Sequence, residues 1–174
     1  MQMSKPLILL VGKSGSGKTT VAKYLESTYG LKMLESYTTR KPRYPFEKGH
    51  TFVSKEEFNT MQNKVAHTLF DGHDYWATQE QCDASDVYVI DPDGVKSLKR
   101  NYIGARPYKI VFLHVNPLVR LYRMTHRDGF LQAVQRIIYD HKKFGKFEKN
   151  KDVYVIHRDT VANIARTIMF DVRG

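Results

Sequence analysis

Only one cysteine, Cys82, occurs in the 174 residues. That scarcity excludes an internal disulfide and fits a reducing compartment. Long apolar runs are missing too. The strongest, Leu7–Val11, is far shorter than the ~20 residues a membrane helix needs. It passes straight into a glycine-rich turn, so it does not read as a leader core either. A cytoplasmic protein without membrane association is expected. The seven histidines, His50, His67, His73, His114, His126, His141 and His157, show no zinc-like pairing, and a single cysteine cannot supply one. Internal repeats and low-complexity linkers are absent, which leaves one domain, or one domain with a small insertion. Acidic residues are in short supply, 18 against 28 basic, for a net charge of +10. Such a surplus implies an anionic partner, either nucleotides or nucleic acid.

What is present is concentrated in Gly12-Lys13-Ser14-Gly15-Ser16-Gly17-Lys18-Thr19. Glycines bracket a short gap, and a lysine and a hydroxyl residue follow at once. The stretch Pro6–Val11 before it has buried-strand character. After it, Val21, Ala22, Leu25 and Tyr29 share one helical face, and Gly30 ends the run. Strand, glycine-rich turn and helix together predict a phosphate site. The glycines let backbone N–H groups converge without Cβ clashes, and the helix start adds its positive end. ATP is expected on Gly12, Ser14, Gly15, Ser16, Gly17, Lys18, Thr19 and Thr20. Lys18 would reach the outer phosphates, and the Thr19 hydroxyl would hold Mg²⁺, mostly through water.

Further strand-like runs lie at Val87–Ile90, Lys109–Val115 and Val153–Ile156. Phe130, Leu131, Val134, Ile137 and Ile138 mark a helix between them. Val161, Ile164, Ala165, Ile168 and Met169 mark another, with Asp159 as its expected N-cap. Alternating strands and helices predict an α/β fold, a parallel sheet with helices on both faces and ligands beyond the strands' carboxyl ends. Residues 37–86 break the rhythm. They are rich in Tyr, His, Lys and Arg and carry turn signals such as Lys48-Gly49 and Asp71-Gly72, so they read as an inserted lobe on a core of 1–36 and 87–174. The lysine- and phenylalanine-rich stretch His141–Lys151 reads as a solvated loop.

A second basic cluster, Ser36-Tyr-Thr-Thr-Arg40-Lys-Pro-Arg43, sets two arginines beside three hydroxyls, a combination suited to phosphate oxygens. With Glu47, Gly49 and Phe52-Val-Ser-Lys-Glu-Glu-Phe58 it resembles the substrate-lobe signature of guanylate kinases. Phe70-Asp-Gly-His-Asp-Tyr75, Val89-Ile-Asp91-Pro-Asp-Gly94 and Arg123-Met-Thr-His-Arg127 with Arg136 resemble later segments of that family, in its order. The resemblance covers nearly the whole chain and implies a P-loop kinase, ATP-dependent, with Mg²⁺ and a nucleoside monophosphate acceptor. It implies that Ser36, Arg40 and Arg43 hold the acceptor's phosphate, helped by Tyr75 and a hydrogen bond from His50. Asp91 would face the acceptor's base or the metal's water shell. Lys18, Arg123, Arg127 and Arg136 would be catalytic, the arginines forming a lid at about 123–136.

The resemblance breaks at the base. Guanylate kinases read guanine with a Glu that should lie between Phe58 and Phe70, where this chain has Asn59–Leu69 without a carboxylate. Asp74, Trp76 and Ala77 replace the family's tyrosine, glycine and serine. These departures are expected in the base pocket. Either Asp71 or Asp74 replaces the missing carboxylate, or the pocket takes another base. Near the adenine, His157 or Arg158 stands where the family has Asn. Two other classes remain open: a non-catalytic guanylate-kinase-like binding module, which the complete phosphate turn and lid arginines disfavour, and a nucleic-acid binder, for which only the charge speaks.

Overall fold

Leu7, Leu9 and Val11 pack into one apolar cluster and Ile8 and Leu10 into another, and none of the five is more than 1% exposed. A strand buried on both faces belongs in the middle of a parallel sheet covered by helices. In the computed structural model, which describes residues 5–42, 44–145 and 147–172, that is where it lies. The strands are β1 (Leu7–Val11), β2 (Ser36–Thr38), β3 (His50–Phe52), β4 (Thr68–Phe70), β5 (His73–Trp76), β6 (Val87–Val89), β7 (Tyr108–His114) and β8 (Val153–His157). The helices are α1 (Lys18–Tyr29), α2 (Lys55–Thr60), α3 (Gln79–Ala84), α4 (Pro92–Asn101), α5 (Pro117–Asp128), α6 (Phe130–Phe144) and α7 (Val161–Thr167).

The main sheet has the order β6-β1-β7-β8, all parallel. Val21, Ala22 and Leu25 of α1 and Ile164 and Ala165 of α7 cover one face. Cys82 of α3, Val95 and Leu98 of α4 and Phe144 of α6 cover the other. All core strands fall where hydrophobicity predicts them, within a residue or so at the ends. Thr160, not Asp159, caps α7: its side chain accepts from Asn163 N, and Asp159 accepts from the Thr160 N–H beside it.

Two expectations are corrected here. His141–Lys151 is not a solvated loop, because α6 runs on to Phe144, whose ring packs on Phe112 in the core. Helix α6 does form, but Leu131 and Ile138 of its apolar set are 72% and 54% exposed, whereas Ala133, Asp140 and Phe144 are buried. The helix turns polar side chains inward because a cleft, not the core, lies against it.

Residues 36–76 contain a second sheet of order β3-β2-β5-β4. Strands β2 and β3 are parallel, and β5 runs antiparallel to both β2 and β4. The β4–β5 hairpin turns at Asp71-Gly72, with φ of 51° and 73°, the left-handed pair that a two-residue hairpin favours. Because side chains alternate along β5, Tyr75 faces the cleft while Asp74 and Trp76 face away. Trp76 stacks on Tyr37 at 5.4 Å and meets the Phe58 ring at 4.8 Å. Its substitution therefore builds this sheet's far side and leaves the cleft untouched. Among the described residues, no helix is long and apolar enough to cross a membrane.

Candidate active site

The turn Gly12–Thr19 joins β1 to α1 with Gly15 at φ 76° and Gly17 at φ 93°. A Cβ on Gly12 would stand 2.6 Å from Ser16 Oγ and 3.0 Å from the Leu113 carbonyl, so the turn closes only on glycine there. Lys18 Nζ donates to the Gly12 carbonyl at 2.6 Å and to the Lys13 carbonyl at 3.3 Å. Burial lowers its pKa to about 8, with Asp140 pulling the other way from a distance. Ser16 Oγ is buried and has no hydrogen-bond partner. Converging N–H groups, an unsatisfied hydroxyl and a partly desolvated cation together fit a phosphate chain. Thr19 is exposed at the start of α1. One hydroxyl beside phosphates suits a hard divalent ion that takes its other ligands from substrate and water. Among the described residues, no three His, Cys, Asp or Glu side chains are grouped to hold such an ion alone.

The turn is braced from behind by residues that no motif announces. The Ser14 N–H donates to Asp140 Oδ2 at 2.7 Å, and Ser14 Oγ donates to Oδ1 at 3.3 Å. Arg120 Nη1 donates to the same carboxylate at 3.1 Å and to the Ser14 carbonyl at 3.3 Å. Arg120 and Asp140 are 4% and 5% exposed. Arg123 Nη1 adds a bond to the Gly15 carbonyl at 3.1 Å. The available signal was the charged row Arg136, Asp140, Lys143 at helical spacing on α6.

Two cavities open on the turn. One, of about 440 Å³, is lined by the turn from Ser14 through Thr20 and by Arg123, Arg127, Arg136 and Arg158. All three lid arginines thus converge with the predicted ATP residues, except that Gly12 lies on the other side. Arg127 is held by Asp128 at 2.7 Å, and Arg136 Nε stands 3.8 Å from the same carboxylate. Arg158, not His157, reaches this cavity; the His157 ring lies 5.1 Å from that of His114.

The second cavity, about 260 Å³, lies between the two sheets. Ser36, Arg40, His50 and Tyr75 come to it from the second sheet and its flanks, and Gly12, Ser14, Lys18, Asp91 and Arg136 from the core. Ser36 Oγ and His50 Nδ1 are 2.9 Å apart. Arg40 makes a bidentate pair with Glu47 at 2.8 and 3.1 Å, and that hydrogen bonding raises its already high pKa. Its buried Nε has no partner. Arg43 lies outside the described residues. Asp91 caps α4 through the Gly94 N–H at 2.7 Å and also accepts from Thr68 Oγ1 at 3.0 Å and Lys143 Nζ at 2.6 Å.

Neither candidate for the missing carboxylate reaches this cavity. Asp74 lies on the far side of β5, paired with Lys55 and with His67 Nε2 at 2.8 Å. Burial pushes its carboxyl up, but the hydrogen bonds from Lys55 and His67 prevail and hold it below the usual range. Asp71 is exposed at the hairpin turn. Cys82 is fully buried, its thiol pushed up to about 12 by burial and by Asp83, which leaves it inert as a nucleophile.

A phosphate turn at the carboxyl end of a parallel sheet, facing an arginine-bearing helix pair, defines a P-loop kinase, a phosphotransferase. A family model described as an AAA domain matches residues 8–138. A guanylate kinase of Helicobacter pylori (strain ATCC 700392 / 26695) is 32% identical over 97% of this chain and 90% of its own length. The chain belongs to the guanylate kinase family. Among solved structures, a guanylate kinase from Anaplasma phagocytophilum superposes with a TM-score of 0.59 at 18% identity, covering 99% of this chain and 88% of that one. A shikimate kinase from Acinetobacter baumannii gives 0.55 at 18% identity, covering 95% and 92%. These two likenesses concern the fold.

Proposed function

We propose that the protein transfers the γ-phosphoryl group of ATP to a nucleoside monophosphate, GMP or dGMP first among them, with Mg²⁺ and in the cytoplasm. The observation that carries this reading is that Lys18 and Arg136 stand in the walls of both cavities. ATP takes the larger cavity, on Ser14–Thr20. The acceptor takes the smaller, its phosphate held by Ser36, Arg40, His50 and Tyr75; for Arg43 the same role rests on the family resemblance alone. The second sheet within 37–86 then forms the acceptor lobe, α3 at the end of that range packing on the core, and 123–136 forms the lid.

An acceptor phosphate oxygen attacks the γ-phosphorus; the new P–O bond forms as the bond to ADP breaks. Two unit charges 4 Å apart repel by about 4 kcal/mol at an effective dielectric near 20, so the two anions meet only among fixed cations. Lys18 and Arg136 stand where the crossing group must be, and Arg123 and Arg127 close from the lid. Their work is positioning and charge stabilisation, which is most of what phosphoryl transfer requires. Bound Mg²⁺ supplies further charge neutralisation at the phosphates.

The test is ADP release from ATP with a panel of ribo- and deoxynucleoside monophosphates. Turnover that needs both Mg²⁺ and an acceptor supports the reading. No ADP with any acceptor, and no thermal shift with nucleotide, would leave a non-catalytic binding module instead.

A further inference from the structure

The acceptor cavity lacks the group that a guanine-specific site requires, and it holds another in its place. Reading guanine through its N1–H and 2-amino group takes a carboxylate with open oxygens. Among the described residues the cavity is lined by two carboxylates, Asp140 and Asp91. Asp140 is taken up by Ser14 and Arg120. Asp91 is taken up by Gly94, Thr68 and Lys143.

Lys143 is the replacement. Its side chain is 7% exposed, and its Nζ lies 2.6 Å from Asp91 Oδ2 and 3.6 Å from Asp93 Oδ2. The Phe70 and Tyr139 rings stand 5.5 and 5.6 Å from it and line the same cavity. An ammonium has three donors and no acceptor; Asp91 takes one and the Tyr139 hydroxyl engages another, which leaves one for a ligand. A base whose carbonyl oxygen meets this end of the cavity gains a charge-assisted bond. A base with an amino group there sets donor against donor, and Lys143, whose charge Asp91 already balances, gains no bond from it.

The geometry points to Lys143 as the base-reading residue. It selects bases with an oxygen at purine C6 or pyrimidine C4 (guanine, hypoxanthine, thymine, uracil) over those with an amino group at that position (adenine, cytosine). It is blind to the 2-amino group that separates guanine from hypoxanthine. The inference rests on the assignment of this cavity to the acceptor.

The experiment measures kcat/KM for GMP, IMP, dTMP, AMP and CMP at saturating ATP, in the wild type and in Lys143→Met and Lys143→Arg. In the wild type IMP should match GMP within about threefold, and AMP and CMP should fall ~10²-fold or more below. Lys143→Met should collapse the oxo-over-amino preference toward unity, and Lys143→Arg, which keeps the cationic donors, should retain most of it. A preference for GMP over IMP of about 10²-fold would overturn the inference from the wild type alone, whatever the variants do. So would AMP or CMP as the best substrate, or an equal loss on every acceptor in Lys143→Met. Turnover with the wrong base pattern defeats only this inference; no turnover with any acceptor defeats the kinase reading and this one with it.

Discussion

The Lys18 ammonium rests on carbonyl oxygens of its own turn, with its nearest carboxylates acting only through space. Burial therefore dominates and depresses its pKa to about 8. At about pH 8 close to half of the free molecules carry a neutral lysine. A phosphate beside it favours the charged form, so ATP binding near pH 8 should take up a fraction of a proton, and binding at pH 6 should take up none. Calorimetry in buffers of different ionisation enthalpy reads this directly. Lys18→Met should abolish the uptake and the transfer while leaving the fold intact, whereas proton release on binding near pH 8 would contradict the assignment. The same shift fixes the sign for stability: between pH 8 and the usual lysine value the unfolded chain binds more protons, so stability rises with pH there. Arg40 poses the complementary case, because its fork is already oriented by Glu47. Arg40→Ala should raise the acceptor's KM by ~10-fold or more with little effect on that of ATP; steady-state kinetics with each substrate varied would check it. Lys18 and Arg40 were legible because their local motifs carry their chemistry. Asp140 and Lys143 were not, since each acts on residues far away in sequence, and Lys143 sat in a stretch whose lysine density reads as solvent-exposed.

At the scale of elements, α5 and α6 hold the phosphate turn through the buried Arg120–Asp140 pair, besides the lid role proposed for them. Breaking a buried pair from one side leaves an uncompensated charge, typically a loss of about 3–5 kcal/mol. Arg120→Met should therefore lower the urea midpoint strongly and weaken ATP binding, as Asp140 is left facing the turn alone. Arg120→Met combined with Asp140→Leu removes both charges and should recover much of the stability, but not the ATP affinity, because the Ser14 N–H loses its acceptor. Denaturation and nucleotide titration of the two variants separate brace from packing. If the single variant is as stable as the wild type, the brace has no such role. The core strands were legible because each is an uninterrupted apolar run buried on both faces. The lobe strands were not, since strands of three residues are too short to carry a periodic signal. The same limit explains why the departures at Asp74 and Trp76 looked like changes to the base pocket. Their face is set by register within β5, which local composition does not encode.

Over the whole molecule, the net charge of +10 has a distribution as well as a size. Lys18, Arg40, Arg123, Arg127, Arg136, Lys143 and Arg158 all line the two cavities, where low-dielectric walls concentrate their field. Two anionic substrates enter against their mutual repulsion, so attraction from a distance should matter more for capture than for the chemical step. The Debye length shrinks from about 30 Å at 0.01 M salt to about 8 Å at 0.15 M, which screens the approach but not contacts made inside the cavities. Raising salt over that range should increase the KM of ATP and of the acceptor several-fold and leave kcat within about twofold. Duplex DNA is the informative competitor, because it carries phosphates at high density but cannot enter a cavity of about 260 Å³. At low salt it should inhibit weakly, and that inhibition should disappear at 0.15 M salt. A fall in kcat at constant KM would place the salt-sensitive step after substrate capture. Tight DNA binding at physiological salt would mean instead that the basic surface serves a polyanion outside the cavities.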